Sequence, residues 1–195
     1  TLMRSSAASD VYKRQHLYWG KRLSAYHGSR AIIWKDRGFA PNPDDKDRTF
    51  SLDTLPQEYP QTGNGDFRNC AYGIRQKNGS RISSLFYKGY EIQEGKPELE
   101  GLPASFAKKE EAQTLKIFLE DAVAGLEVCL LYTVWHDRDV ITRSVQFKNH
   151  SDSEIILTKM LSMSLDIRES EFDVMTLYGA HNNERNIDRR PLTSG

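Results

Sequence analysis

Period-two alternation of apolar and polar residues constrains this chain more than any other feature. Leu115, Ile117 and Leu119 alternate with Lys116, Phe118 and Glu120. Leu126, Val128, Leu130, Tyr132 and Val134 continue on one face of the next run. Ile141, Val145 and Phe147 alternate with Thr142, Ser144, Gln146 and Lys148, and Ile155, Leu157, Leu161, Met163, Leu165 and Ile167 keep the same period. Successive side chains of a strand point to opposite faces, so each run predicts a half-buried strand. Residues 121–125 and 149–153 between them are short clusters of turn formers. Lys77-Asn78-Gly79-Ser80, between 72–76 and 81–87, predicts a hairpin turn, because Asn-Gly accepts positive φ. Only 107–111 reads as a helical turn. Strands at this spacing without intervening helices predict an antiparallel all-β sandwich, with the segment 172–178 at an edge.

Composition narrows the function classes. The 195 residues carry 27 Lys+Arg against 27 Asp+Glu, so no global field would hold nucleic acid or an anionic membrane. Hydrophobic residues at 38% suffice for a core. No apolar run approaches the roughly 20 residues that span a bilayer. The two cysteines, Cys70 and Cys129, cannot staple a fold of this size and fit a reduced, cytoplasmic compartment. Both read as small buried hydrophobes.

Residues 1–15 show neither helical nor strand period and have no apolar h-region. They read as a non-native, adapter-like or disordered leader, leaving 16–195 as the folded portion. The stretch 38–65 holds Pro41, Pro43, Pro56 and Pro60, four of the seven prolines. A loop this long inside a compact domain is usually functional or an interface.

Catalytic signatures are sparse. The five histidines, His16, His27, His136, His150 and His181, make no metal-binding spacing, and no cofactor motif is present. Asn78-Gly79-Ser80 and Asn149-His150-Ser151 match a glycosylation sequon but read as turns. The adjacent pairs Asp44-Asp45 and Glu110-Glu111 read as solvated charge rather than as the two facing carboxyls of sugar hydrolysis. In Gly65-Asp66-Phe67-Arg68, Asp66 and Arg68 could bracket a polar ligand, although an internal ion pair is the plainer reading. Trp34-Lys35-Asp36 pairs an aromatic with a carboxylate, the combination that grips sugars, and also suits a surface turn.

Several longer motifs occur in a fixed order. They are Leu17-Tyr18-Trp19-Gly20-Lys21, Asp36-Arg37-x-Phe39-x-Pro41-Asn42-Pro43, the run from Arg48 to Pro60, Gly65-Asp66-Phe67-Arg68, Gly101-Leu102-Pro103-Ala104, Asp139-Val140-Ile141-Thr142-Arg143-Ser144 and Arg189-Arg190-Pro191-Leu192. Together they resemble the N-terminal domain of the bacterial α-galactosidases of glycoside hydrolase family 36, over about residues 16–195. The resemblance implies a galactose-mutarotase-like β-supersandwich, here truncated, ahead of a (β/α)8 barrel that carries the nucleophile and acid/base. No catalytic residue and no cofactor is then expected in this chain, and Trp34-Lys35-Asp36 is not the family's Lys-Trp-Asp nucleophile motif. The parent protein is expected to remove terminal α-galactosyl residues from raffinose-type oligosaccharides as a homotetramer. Its N-terminal domain has its own catalytic barrel as a partner, packs against a neighbouring subunit and lends residues to that neighbour's galactose pocket. Asp36 aligns with a carboxylate that accepts hydrogen bonds from galactose, and His181, after Gly179-Ala180, stands where the family has a tryptophan. Asp66, Phe67 and Arg68 are expected to support the pocket or an interface. A stand-alone carbohydrate-binding β-sandwich is the alternative. A mutarotase is disfavoured because no His–Glu constellation is evident.

Overall fold

A computed structural model of the chain describes residues 52, 57–63, 66–101, 104–165 and 171–193. Asp36, the Trp34-Lys35-Asp36 and 17–21 motifs, the leader and most of the proline-rich stretch lie outside the described residues. Among the described residues all eight regular elements are strands: β1 (Tyr72–Gln76), β2 (Phe86–Glu94), β3 (Ala112–Asp121), β4 (Leu126–Trp135), β5 (Ile141–Asn149), β6 (Ile155–Met160), β7 (Asp173–Ala180) and β8 (Asn183–Pro191). The predicted antiparallel all-β class is what the described residues adopt. Two compact units result, Thr1–Leu165 and Asp166–Gly195.

In the first unit, β2-β3-β4-β5 form one antiparallel sheet and β1-β6 another. The β3–β4 pair is its spine, in unbroken register from Ala112 opposite Trp135 to Asp121 opposite Leu126. Its turn is fixed by Asp121, whose Oδ1 accepts the Val123 and Ala124 amides at 3.0 Å each, a local side-chain-to-backbone cap. Gly125 closes the turn at φ +66°, and a Cβ there would sit 2.8 Å from the Ser151 Cβ. The side chains that alternate inward from β4, namely Leu126, Val128, Leu130 and Tyr132, are fully buried. They pack with Leu119 of β3, Tyr72 and Ile74 of β1, and Tyr59 of the loop ahead of it. Tyr59 and Tyr72 stack with ring centroids 5.4 Å apart and planes 2° apart, and Phe147 tilts against both. Offset and tilted aromatic contacts of this kind add about 0.5–1.5 kcal/mol each beyond area burial.

The other face of β4 is buried too. Cys129, Leu131 and Thr133 are all enclosed. There the Thr114 hydroxyl donates to the Gly95 carbonyl at 2.7 Å, so the Thr133 hydroxyl, 2.8 Å away, must donate to Thr114.

Two local expectations change. The Lys77-Asn78-Gly79-Ser80 turn forms, with the Gly79 amide donating to the Gln76 carbonyl at 2.9 Å and Gly79 at φ +86°. The segments it joins do not pair with each other: β1 pairs with β6, and β2 with β3. Turn chemistry sets the reversal, but burying Tyr72 and Ile74 decides the partner. Of the 155–167 alternation, the described residues 155–165 are strand only to Met160, the last residue of β6 with a partner across the sheet, Tyr72. The 107–111 segment contributes one turn, closed by the Glu111 amide on the Lys108 carbonyl at 3.1 Å.

The second unit is a β7–β8 hairpin. β8, with the sequence Asn-Glu-Arg-Asn-Ile-Asp-Arg-Arg-Pro, has no apolar alternation to announce it. It gives β7, expected as an edge, a partner from Asp173 to Tyr178 and again at Ala180. Leu177 faces Ile187 across the pair, Arg189 faces Met175, and the Arg189 guanidinium bonds the Asp173 carboxylate at 2.6 and 2.7 Å.

Candidate functional site

The loop that precedes β1 gathers the first group of candidate residues. The Asp66 side chain is 1% exposed and both of its carboxylate oxygens are hydrogen-bonded. Oδ1 accepts the Arg68 Nε–H at 2.9 Å and the Arg68 amide at 3.1 Å, and Oδ2 accepts Gln57 Nε2 at 2.6 Å. Arg68 reaches on to the Leu52 carbonyl at 2.9 Å, which Gln57 Nε2 also contacts at 3.0 Å. Asp66 and Arg68 therefore form the internal ion pair that the sequence offered as the plainer choice. The carboxylate is buried and bonded through both oxygens within its own loop, which closes it to a sugar hydroxyl; its role is to hold the turn. Phe67, between these two anchored neighbours, is 85% exposed. A rigidly presented aromatic can contact another surface at little entropic cost.

A second cluster lies one turn earlier and was not foreseen. Glu58 and Arg143 are paired at 2.9 Å with side chains only 5% and 7% exposed. The Tyr132 hydroxyl donates to the same carboxylate at 2.5 Å, and Arg143 donates to the Glu58 carbonyl at 3.0 Å. The guanidinium also lies over the Tyr59 and Tyr132 rings, 5.7 and 4.9 Å from their centroids. Burial pushes the Tyr59 hydroxyl pKa up to about 12. It also raises the Tyr132 hydroxyl well above its usual value, with the adjacent Glu58 charge acting in the same direction. The cluster ties the loop to the middle of the sheet. One signal could have found it: Arg143 occupies an inward phase of β5, between Ile141 and Val145, where a charge requires a buried partner.

His181, the candidate in the other unit, sits at the tip of the β7–β8 hairpin, exposed, between Ala180 and Asn183, which pair across the turn. Asn182 beside it has φ +64°. The structure thus joins Asp66 with Arg68, leaves Phe67 outward between them, and puts His181 on a separate unit.

No group of His, Cys, Asp or Glu among the described residues could hold a metal ion. A cavity of about 430 Å³ opens beside Ile82, Phe86, Tyr87, Val123 and Ala124. Its buried acid, Asp121, is consumed by the Ser83 hydroxyl and the Ser84, Val123 and Ala124 amides, so it has no proton-transfer role to offer. No described helix is long and apolar enough to cross a membrane.

Residues 13–195 match the family description "Glycosyl hydrolase family 36 N-terminal domain". The chain belongs to glycosyl hydrolase family 36. Among family 36 proteins, α-galactosidase AgaA of Geobacillus stearothermophilus is 50% identical over 181 residues, covering 92% of this chain and 25% of that protein. The bifunctional α-galactosidase/sucrose kinase AgaSK of Mediterraneibacter gnavus is 47% identical over 182 residues, covering 92% of this chain and 19% of its own length. A crystal structure of an AgaA variant in complex with raffinose superposes with a TM-score of 0.90 at 48% identity, covering 95% of this chain and 26% of that one. The chain spans about a quarter of the length of AgaA and of the family 36 α-galactosidase Mel36A of Lactobacillus acidophilus. It corresponds to their N-terminal domain, as the ordered motifs implied.

Proposed function

We propose that this chain is the front part of a retaining α-galactosidase that removes terminal α-galactosyl residues from raffinose-type oligosaccharides. The observation that carries the reading is similarity over nearly the whole chain, in sequence and in backbone, to AgaA, an α-galactosidase whose variant has been crystallised with raffinose. The chemistry then resides downstream, on a barrel. Retention requires two carboxyls about 5–5.5 Å apart flanking the glycosidic bond, one as nucleophile and one as acid/base.

In this reading the domain packs on its own barrel, supports a cytoplasmic homotetramer, and contributes Asp36 and His181 to the galactose pocket of a neighbouring subunit. His181 suits the role as an exposed group at a hairpin tip. Asp36 would accept hydrogen bonds from galactose hydroxyls, each contributing roughly 1.5–3 kcal/mol when the acceptor is charged. Asp66 and Arg68 act at one remove by fixing their loop. Phe67 is left free to pack against a neighbouring surface.

The test uses the full-length enzyme, with the downstream sequence restored. Asp36→Ala should lower kcat/KM on raffinose by about 10- to 150-fold, with the oligomer unchanged by light scattering. Unaltered kcat/KM in an intact tetramer would end the claim that this domain reaches the pocket. Lack of α-galactosidase activity in the restored enzyme would end the larger one.

A further inference from the structure

The tip of the β7–β8 hairpin carries more backbone strain than a plain reversal needs. Tyr178 pairs with Asn186 and Ala180 with Asn183, so one residue of β7, Gly179, faces two of β8, Glu184 and Arg185. This two-against-one arrangement is a β-bulge, a device that bends a strand and re-aims the side chains beyond it. Arg185 takes up the irregularity at φ +62°. An arginine there lacks the freedom of glycine, because its Cβ crowds the backbone. Gly179 has the converse constraint: a Cβ on it would lie 2.2 Å from the Asn183 carbonyl oxygen and 2.8 Å from the Glu184 Cα. Asn186 braces the bend by donating its side-chain amide to the Asn183 carbonyl at 3.0 Å and to the Asn183 side chain at 3.1 Å. The Asn182 amide donates to the Glu184 carboxylate at 3.0 Å. Backbone strain held in place by surrounding bonds collects where a side chain must be aimed.

We propose that Gly179 and Arg185 are positioning residues: the bulge they form sets the direction in which His181 leaves the hairpin, and so sets substrate affinity. The inference rests on the reading that His181 contacts the galactoside. It assigns no role to the Arg185 guanidinium; only the left-handed backbone at that position matters. The chemical step is untouched, so the effect falls on KM and leaves kcat in place.

The experiment measures kcat and KM on raffinose, and the melting temperature, for five variants of the full-length enzyme. Arg185→Gly and Arg185→Asn accept the left-handed backbone and should stay within about twofold of the parent in KM, with an equal or higher melting temperature. Arg185→Val, β-branched and poorly suited to that backbone, should raise KM about 5- to 30-fold. Gly179→Ala should raise KM in the same way, because Asn183 has to move. His181→Ala should raise KM by a similar factor. If His181→Ala raises KM while Gly179→Ala and Arg185→Val change only the melting temperature, the positioning role is overturned and the His181 reading stands. If His181→Ala leaves KM unchanged, the His181 reading fails and the positioning role with it. A raised KM in Arg185→Gly and Arg185→Asn overturns the proposal by making the guanidinium the active group.

Discussion

Arg143 and Glu58 form a buried ion pair, with the Tyr132 hydroxyl on the carboxylate and the Glu58 carbonyl on the guanidinium. Removing one member strands the other charge away from water, which costs about 3–5 kcal/mol. Arg143→Met should therefore lower the first thermal transition of the full-length enzyme sharply. Glu58→Gln with Arg143→Met should recover much of the loss, since a neutral pair leaves no buried charge; a double-mutant cycle by calorimetry measures this. The neighbouring tyrosines add a pH dependence. Burial raises the Tyr59 pKa to about 12, and Tyr72 and Tyr132 are raised by burial as well. A hydroxyl whose folded pKa lies above its unfolded value stabilises the fold fully below the unfolded value, near 10, and the contribution disappears as pH rises through the folded pKa. Stability should hold up to about pH 10 and fall towards pH 12. The tyrosinate absorbance lost in Tyr59→Phe, Tyr72→Phe and Tyr132→Phe variants should then rise in step with the loss of β-sheet circular dichroism. An earlier, separate absorbance rise from all nine tyrosines would contradict the burial.

Turns show how one residue type serves different needs at the level of the element. Gly79 and Gly125 both have positive φ, +86° and +66°. A Cβ on Gly79 meets nothing within 4 Å, whereas one on Gly125 meets Ser151 at 2.8 Å from Cβ and 2.9 Å from the amide nitrogen. Gly79→Ala should cost only the left-handed backbone term, roughly 1–2 kcal/mol. Gly125→Ala should cost more, because the 149–153 turn must also shift; the two melting temperatures compare them directly. This asymmetry is invisible in sequence, where both are glycines in turn clusters. The strands differ in legibility for a related reason. β3 and β5 announce themselves because each has one face in the core, and β4 because its sequence is apolar on both faces. β8 keeps charged and polar residues on both faces and is held as a strand by its ladder to β7, so no periodicity betrays it.

In the whole molecule, the first unit sets a two-stranded sheet against a four-stranded one. Tyr90 and Ile92 on β2 and Leu157 and Met160 on β6 are left exposed. In the second unit, Met175, Leu177 and Ile187 are exposed together on the hairpin. Apolar edges and faces of this kind promote pairing with other chains. The 195-residue chain made alone should self-associate, seen as a concentration-dependent mass in light scattering. It should also give no turnover of p-nitrophenyl α-galactoside. A monomer with a sharp melt would show that these faces need no cover, and turnover above a vector control would show that a catalytic pair lies within these residues.

The sequence by itself determined the antiparallel β class, the inward set of β4 and the Asp121–Gly125 and Asn149–Ser153 turns. Each of these follows from the preferences of residues a few positions apart. Its ordered motifs also identified the family. Tertiary structure alone decided that β1 joins β6 rather than β2, and that Asp66 is consumed by Arg68 and Gln57. It also decided that Arg143, on an inward phase, stays inside. That outcome depends on Glu58, 85 positions away in the chain. Whether a charge can be buried depends on which groups the fold brings around it, and no local pattern encodes that.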